Sequence, residues 1–187
     1  FDQATVDEIR ERLGPIAAAA QLDQNPSPLK GAIFDRSWFE HTWSEDILPG
    51  LVNKRMYIDC SFKDAMSSNY VVIGVWAKRA NTFYLIDLYR GKWDSVKTEE
   101  MILSVRKKWH CNHTVLEDKA NGPAIFQRLR KAGVPGVLEW SPGRTSKEER
   151  ASAVAPEYQS GHVLLPPDHL APWKRAYIDE TTKFPVD

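Results

Sequence analysis

The chain has 187 residues with 25 basic and 25 acidic side chains, so its formal net charge is zero and any polyanionic partner must be held by locally clustered charge. Its length suits one main domain, and its two cysteines are too few for a disulfide framework or a zinc cluster. No apolar run approaches the roughly 18 to 20 residues that cross a bilayer, and the first residues carry no secretory signal, so we expect a protein of the reducing cytosol.

The first fifty residues are predicted to form an appendage. Apolar residues at helical spacing predict a short helix over Thr5–Leu13, which Gly14-Pro15 ends. The segment Ala17–Lys30 becomes polar and rich in proline and is predicted to be a linker. An aromatic group follows and is interpreted as a packing patch: Phe34, Trp38, Phe39 and Trp43. Because residue 1 is not methionine, we expect the chain to be part of a longer protein.

Three strands are predicted to follow in succession. They are Arg55–Ser61, Asn69–Lys78 and Thr82–Arg90, and the second is rich in valine. The polar connections between them are short, which favours antiparallel hairpins. Three antiparallel strands therefore open the predicted sheet.

Helices and strands then alternate. Apolar residues at helical spacing predict a helix over Ser95–Trp109, and the run Thr114–Glu117 predicts a strand. A second helix is expected over Pro123–Ala132, because proline stands in its first turn and Gly133 follows its last residue. Another strand is predicted over Gly136–Trp140. Alternation of this kind adds parallel strands to the antiparallel ones.

The remaining part is predicted to be mostly helical. Ser146 and Glu149 have the spacing of a capping box, at the start of a helix that continues to Gly161. The residues His162–Leu165 predict a short strand or extended turn, and Leu170–Thr182 predicts a final helix. The order β-β-β-α-β-α-β-α-α predicts an α/β architecture, with a mixed sheet flanked by helices.

Carboxylates stand at the ends of two predicted strands, Asp59 in one and Glu117-Asp118 in the other. Rigid strand ends can hold carboxylates close together, and their oxygens suit Mg²⁺ or Mn²⁺. Two such ions about 3.5 to 4 Å apart can activate water and steady the leaving oxygen of a phosphodiester. Strand alternation points Glu117 and Asp118 to opposite faces, so Asp59 and Glu117 are the preferred pair. Asp118 is then a further ligand, a supporting group or a partner of Lys119; the alternative is that these acids only cap turns.

Five blocks of sequence together resemble the nuclease domain of the bacteriophage terminase large subunit. They occur in the family's order and cover nearly everything from residue 55 onward: Met56-Tyr-Ile-Asp-Cys-Ser-Phe-Lys-Asp64, Ser68-Asn-Tyr-Val-Val-Ile-Gly-Val-Trp76, Leu116-Glu-Asp-Lys-Ala-Asn-Gly-Pro123, Ser146-Lys-Glu-Glu-Arg150 and Gly161-His-Val-Leu-Leu-Pro166. The Glu-Asp-Lys-Ala-Asn-Gly block is quite specific, whereas each of the others alone would be weak.

The resemblance implies a ribonuclease H-like fold and a metal-dependent endonuclease, which uses two Mg²⁺ or Mn²⁺ ions and cuts concatemeric viral DNA when packaging begins and ends. It makes Asp59 the catalytic, metal-ligating carboxylate of the first strand and Glu117 that of the fourth, with Asp118 as a further candidate ligand. The family's third acid belongs to an Asp-Asp pair a few residues after Phe184-Pro185. Asp187 is near that place, and we expect the pair itself to follow it in the parent protein.

The resemblance also implies a division of the chain and a set of partners. Residues 1–50 resemble the end of the family's ATPase region and its linker, and residues 51–187 its nuclease domain. No phosphate loop of the form Gly-x-x-x-x-Gly-Lys-Ser/Thr occurs, so these residues are expected to cut DNA without translocating it. The implied partners are double-stranded DNA, the portal protein and the small terminase subunit, and the implied location is the host cytoplasm.

Basic side chains that contact DNA are not identified by the resemblance. Arg144, Lys147 and Arg150 cluster around the start of the predicted third helix, and Lys119 follows the paired acids. Contacts of such residues with phosphates would supply most of the affinity. The alternatives are a solvated helix face with interspersed acids and, for Lys119, a simple ion pair.

Two rival functions stay open on the sequence alone. The same fold would also suit a Holliday-junction resolvase, an integrase-like enzyme or a ribonuclease H. The chain could instead be a non-catalytic docking module for the portal, the small terminase subunit or DNA, with purely structural carboxylates. A comparison of nucleic-acid substrates separates the first group, and metal-dependent stability tests the second.

Overall fold

The structure, a computed structural model, describes residues 32–60, 70–118 and 122–185 of the chain. These residues group into two compact units. The first comprises the described residues up to Thr42, Arg144–Leu165 and those from Lys174 onward, and the second comprises Trp43–Gly143 and Pro166–Trp173. The predicted N-terminal helix and linker lie outside the described residues.

The second unit is built on a mixed sheet. Its strands are β1 (Arg55–Asp59), β2 (Val71–Arg79), β3 (Thr82–Gly91), β4 (His113–Glu117) and β5 (Val137–Trp140). They are hydrogen-bonded in the order β5-β4-β1-β2-β3. Strand β2 pairs antiparallel with β1 and β3, whereas β4 pairs parallel with β1 and β5. The predicted α/β fold, with three antiparallel strands followed by parallel ones, is confirmed.

Two helices, α1 (Ser95–Trp109) and α2 (Gly122–Lys131), cover one face of this sheet. Burial alternates along β1, since Met56 and Ile58 are buried whereas Tyr57 between them is 44% exposed. The buried face and the apolar sides of the helices form one core, which includes Ile73, Val75, Ile102, Val105, Leu116, Ile125 and Leu129. The opposite face of β1 is therefore the one that carries Asp59.

Local sequence signals explain the ends of α1. The Asp94 carboxylate accepts a hydrogen bond from the backbone N–H of Lys97 at 2.7 Å, which caps the first turn. The helix ends at His110, which adopts a left-handed conformation with φ 52°. The observed bounds of this helix match the predicted ones.

The β2–β3 hairpin contains one β-bulge, which changes the pairing of the residues farthest from its turn. Its turn is the dipeptide Ala80-Asn81, with Ala80 at φ 52°, as tight two-residue hairpin turns require. Between Val75 and Trp76 the pairing of β2 with β3 shifts by one residue, which is the signature of a β-bulge. Beyond this shift, Val72 lies opposite Arg90.

The first unit is held together by aromatic packing. The ring of Tyr158 lies 5.2 Å from that of Phe34 and 5.1 Å from that of Phe39, measured between centroids. The hydroxyls of Tyr158 and Tyr177 share a hydrogen bond of 2.6 Å. Packing was predicted for the aromatic group and is confirmed for Phe34 and Phe39, which are buried, and for Trp43 of the second unit, whose indole donates to a backbone carbonyl of β3.

The first unit also contains α3 (Lys147–Gln159), β6 (Val163–Leu164) and α4 (Lys174–Lys183). The predicted capping box at the start of α3 is confirmed. The Ser146 hydroxyl accepts from the backbone N–H of Glu149 at 3.0 Å, and the Glu149 carboxylate accepts from that of Ser146 at 2.7 Å.

The last helix begins later than predicted. The sequence pattern placed its start at Leu170, but Asp168–Leu170 forms a separate 3-10 turn and α4 begins at Lys174. The reason is Pro172, because proline disfavours the helical conformation of the residue before it, and Ala171 adopts φ −132° and ψ 73°. Neither α4 nor any other helix in the described ranges is long and apolar enough to cross a membrane.

Candidate active site

Asp59 and Glu117 lie next to each other at the ends of two adjacent parallel strands. Strands β1 and β4 pair with Ile58 opposite Leu116, so the residues that follow them, Asp59 and Glu117, are at equal register. Adjacent strands are about 4.8 Å apart, and residues at equal register point to the same face. The two carboxylates are half-buried and share the face of the sheet that α1 and α2 leave uncovered.

The position of Glu117 is fixed by both β5 and α2. The N–H of Asp118 donates to the carbonyl of Trp140 at 2.8 Å, which extends the β4–β5 ladder one residue past Glu117. A Cβ atom on Gly122, the first residue of α2, would overlap the carbonyl oxygen of Glu117. Only glycine permits so close an approach of helix to strand, so this glycine sets where the strand end lies.

The charges of both carboxylates act on one neighbouring thiol. Cys60 follows Asp59 and is buried. Burial, together with the negative charges of Asp59 and Glu117, raises the pKa of the Cys60 thiol to about 12. Since the thiolate is the reactive form of cysteine, this pKa keeps the Cys60 thiol neutral and unreactive at neutral pH.

The other predicted site residues are distributed over the chain. Asp118 comes directly after β4 and is exposed. Arg144 and Lys147 are exposed residues of the first unit, and the guanidinium of Arg150 in that unit donates to the carbonyl of Thr145 at 2.6 Å. The two remaining candidates, Lys119 and Asp187, lie outside the described residues.

The described part of the site is a carboxylate pair. Within residues 32–60, 70–118 and 122–185, no group of three or more His, Cys, Asp or Glu side chains is placed to hold a metal ion. A third ligand of these four residue types beside Asp59 and Glu117 would therefore come from outside those ranges or from a side chain, such as that of Asp118, in another position.

Another carboxylate of the sheet, Asp87 in β3, is buried and was not identified from the sequence. It accepts hydrogen bonds from Lys108 Nζ at 3.0 Å and from the indole N–H groups of Trp109 at 3.0 Å and Trp173 at 3.1 Å. Burial raises the pKa of Asp87, but its hydrogen bonds and the charge of Lys108 together outweigh burial, so this pKa lies below its usual value. The only signal for this cluster in the sequence is an acid inside an apolar strand.

The profile of one protein family matches residues 56–187, which is more than half of the chain. That family is described as the terminase RNaseH-like domain. The matched region contains β1 to β6 apart from the first residue of β1, and both Asp59 and Glu117. No curated protein sequence matches the chain.

Several solved structures have a similar fold at low sequence identity. The large terminase of a thermophilic bacteriophage, in complex with ADP, has a TM-score of 0.69 and 11% identity over 96% of this chain and 44% of that chain. The large terminase nuclease of another thermophilic phage, G20c, with bound magnesium, has a TM-score of 0.55 and 16% identity over 83% of this chain and 82% of that one. The large terminase nuclease domain of bacteriophage SPP1, with bound manganese, has a TM-score of 0.51 and 13% identity over 75% and 78%. These similarities establish a common fold, and the chain spans less than half the length of the ADP-bound large terminase.

Proposed function

The chain belongs to the terminase RNase H-like domain family, and we propose that it is a metal-dependent endonuclease that cuts concatemeric double-stranded viral DNA when packaging begins and ends. The observation that carries the proposal is the pair Asp59 and Glu117, at equal register on adjacent parallel strands. Paired carboxylates on a rigid sheet suit metal-assisted phosphodiester hydrolysis, and membership of this family supports a nuclease.

The donors of the pair fit a hard divalent cation. Asp59 and Glu117 offer carboxylate oxygens, which suit Mg²⁺ and Mn²⁺, and the adjacent Cys60 is held in its neutral form. The G20c and SPP1 nucleases were solved with magnesium and manganese, which supports the same choice for this chain. We propose that Asp59 and Glu117 hold two such ions, with Asp118 as a further ligand and Asp187 as the nearest candidate for a third acid.

The protein preorganises the carboxylate oxygens of Asp59 and Glu117 by holding their backbones in the sheet. Strand β1 is hydrogen-bonded to β2 and β4, and β4 to β1 and β5, so neither Asp59 nor Glu117 stands on an edge strand. The close approach of Gly122 restrains the backbone of Glu117 further. Two carboxylates at equal register on adjacent strands repel a DNA phosphate, so cleavage requires cations. When bound, the ions would supply an activated water and neutralise charge on the leaving oxygen.

The test is cleavage of supercoiled plasmid with Mn²⁺ by Asp59→Asn and Glu117→Gln. Each change removes one ligand charge at nearly constant volume, so cleavage is expected to fall to background while circular dichroism and thermal melting show an intact fold. The matched control is Glu139→Gln, an exposed acid of β5 that pairs with Leu116 and therefore belongs to the opposite face. Cleavage at the wild-type rate in either site variant would refute the assignment.

Metal binding can be followed without any cleavage. A ligand at ten times its Kd stabilises a protein by about 1.4 kcal/mol, so Mn²⁺ should raise the melting temperature of the wild type and of Glu139→Gln. Asp59→Asn should lose this rise. Absence of both the shift and the cleavage in the wild type would favour the rival interpretation of a docking module with structural carboxylates.

The remaining parts of the proposal concern substrate and context. Linear duplex, branched DNA and RNA/DNA hybrid compared as substrates distinguish a terminase nuclease from a junction resolvase, an integrase-like enzyme or a ribonuclease H. We propose duplex DNA, with the portal protein and the small terminase subunit as partners in the host cytoplasm. The assignment of residues 1–50 to the end of an ATPase region and its linker is likewise a proposal.

A further inference from the structure

A cluster of two cations and one aromatic ring stands on the same face of the sheet as the carboxylate pair. Asp59 is opposite Val72 in β2, and Val72 is opposite Arg90 in β3. Residues at equal register in adjacent strands point to the same face, so Arg90 shares the face of Asp59. Two strand spacings separate their backbones, which is roughly 10 Å.

Tyr70 and Lys92 complete this cluster. The guanidinium carbon of Arg90 lies 4.2 Å from the centre of the Tyr70 ring, and Lys92 Nζ lies 5.1 Å from the same centre. Tyr70 is 44% exposed, and both cations are on the surface. Cation–π attraction therefore holds two like charges beside one another, close to a pair of acids.

This arrangement suits the recognition of a phosphate. Arginine has five N–H donors in a planar fork that matches phosphate oxygens, so it can bind one while making other contacts. The net charge of the whole chain is zero, so attraction for a polyanion has to come from such local groups. The need is greatest beside Asp59 and Glu117, whose charges repel the substrate.

The opposite end of the same hairpin provides a matched comparison. There, Lys78 Nζ lies 4.5 Å from the centre of the Phe83 ring, next to the turn between β2 and β3. Lys78 is six residues along β2 from Val72, so the two clusters are separated by roughly 20 Å of strand. The hairpin thus has a cation–π contact at each end, but the described residues place two cations over the Tyr70 ring and one over the Phe83 ring.

We propose that Tyr70, Arg90 and Lys92 bind a backbone phosphate of the DNA strand on one side of the phosphodiester at Asp59 and Glu117. The inference rests on the proposed nuclease function. A DNA strand carries one phosphate per 3.4 Å of helix axis, so a site roughly 10 Å from Asp59 would hold a phosphate no more than about three nucleotides from the cut. Arg90 and Lys92 supply the charge, and Tyr70 holds them in position.

The experiment measures binding of the full 187-residue chain to a fluorescein-labelled 30-base-pair duplex by anisotropy, in EDTA and at several salt concentrations. The double variant Arg90→Ala/Lys92→Ala is expected to bind roughly tenfold more weakly, and the slope of log K against log salt should fall by about 0.9 for each phosphate that is no longer neutralised. Arg90→Lys, which keeps the charge, should retain the wild-type slope. Lys78→Ala should match the wild type in both measurements.

The outcomes separate this inference from the proposed function. Wild-type affinity and salt slope in the double variant, with an intact fold by circular dichroism, would overturn the phosphate contact. An equal loss in Lys78→Ala would overturn it too, since general charge would then explain the effect. The nuclease proposal is tested by a different measurement, plasmid cleavage. Unchanged cleavage in Asp59→Asn would refute that proposal without altering the result of the DNA-binding experiment.

Discussion

Asp87 and the pair Asp59 and Glu117 are carboxylates of one sheet, but they lie on opposite faces and have different neighbours. Asp87 pairs with Val75 on the helix-covered face and accepts hydrogen bonds from Lys108 and two indoles. Asp59 and Glu117 stand at equal register on the other face, and both add negative charge at Cys60. The first carboxylate is held by donors of the helix-covered face, whereas the other two stand side by side on adjacent strands of the opposite face.

The difference shows that the neighbours of an acid, more than its burial, indicate its use. A buried carboxylate that accepts hydrogen bonds from a cation and two indoles is stabilised in the folded state, and these contacts account for its presence in the core. Two carboxylates side by side on adjacent strands offer one cation oxygen ligands from both strands. We therefore propose that the pair binds a cation, whereas Asp87 stabilises the fold.

The largest effect on stability is expected for Asp87→Ala. The change leaves the indole N–H groups of Trp109 and Trp173 and the ammonium of Lys108 without their shared acceptor, so the free energy of unfolding should fall by about 3 kcal/mol. Urea denaturation monitored by tryptophan fluorescence measures the loss. Asp59→Asn should change the same quantity by less than about 1 kcal/mol.

Equal losses in the two variants would break the comparison. If Asp59→Asn destabilised the chain as much as Asp87→Ala, Asp59 would be a structural carboxylate like Asp87, and its assignment to a metal site would lose its physical basis. Glu139→Gln, exposed and outside both clusters, gives the baseline for removal of a surface charge.

A somewhat smaller loss is expected for Gly122→Ala. The added Cβ would overlap the carbonyl of Glu117, so α2 or the end of β4 must shift, at a cost of about 1 to 3 kcal/mol. Gly50→Ala is the control, because its Cβ would meet only the far end of Arg79 at 3.8 Å. Urea denaturation and plasmid cleavage are measured on both.

The cleavage result sharpens the contrast between the two carboxylate sites. A shift at Glu117 separates it from Asp59 without touching Asp87, so Gly122→Ala should lose more activity than its stability predicts. Wild-type cleavage in Gly122→Ala would show that the position of Glu117 is not critical.

Much of the fold and the acid pair could be predicted because their signals are local. Alternation and helical spacing identified five strands and α1, and the capping box identified the start of α3. The confirmed resemblance to a terminase nuclease then rested on five short blocks in the family's order, two of which contain Asp59 and Glu117. The start of α4 was wrong by four residues, since the effect of Pro172 on Ala171 overrode the apolar spacing.

The Asp87 cluster and the face of Arg90 could not be predicted in the same way. Lys108, Trp109 and Trp173 lie 21, 22 and 86 residues from Asp87, so no local pattern connects them. Counting from the Ala80-Asn81 turn would pair Val72 with the residue before Arg90 and put Arg90 on the wrong face. The bulge between Val75 and Trp76 shifts the pairing by one residue, so that Arg90 lies opposite Val72. Nothing in the sequence identifies this bulge.

The smallest effect is a dependence of stability on pH that belongs to Asp87. Because the pKa of Asp87 is lowered in the folded state, its contribution is complete above the unfolded value of about 3.9 and is lost as the pH falls through the folded pKa. Asp87→Asn cannot titrate, so its urea midpoint should fall less steeply than that of the wild type below about pH 4. Glu139→Gln should follow the wild type. Parallel curves for the wild type and Asp87→Asn would mean that donors do not favour the ionised form of Asp87, and its contrast with the acid pair would then rest on position alone.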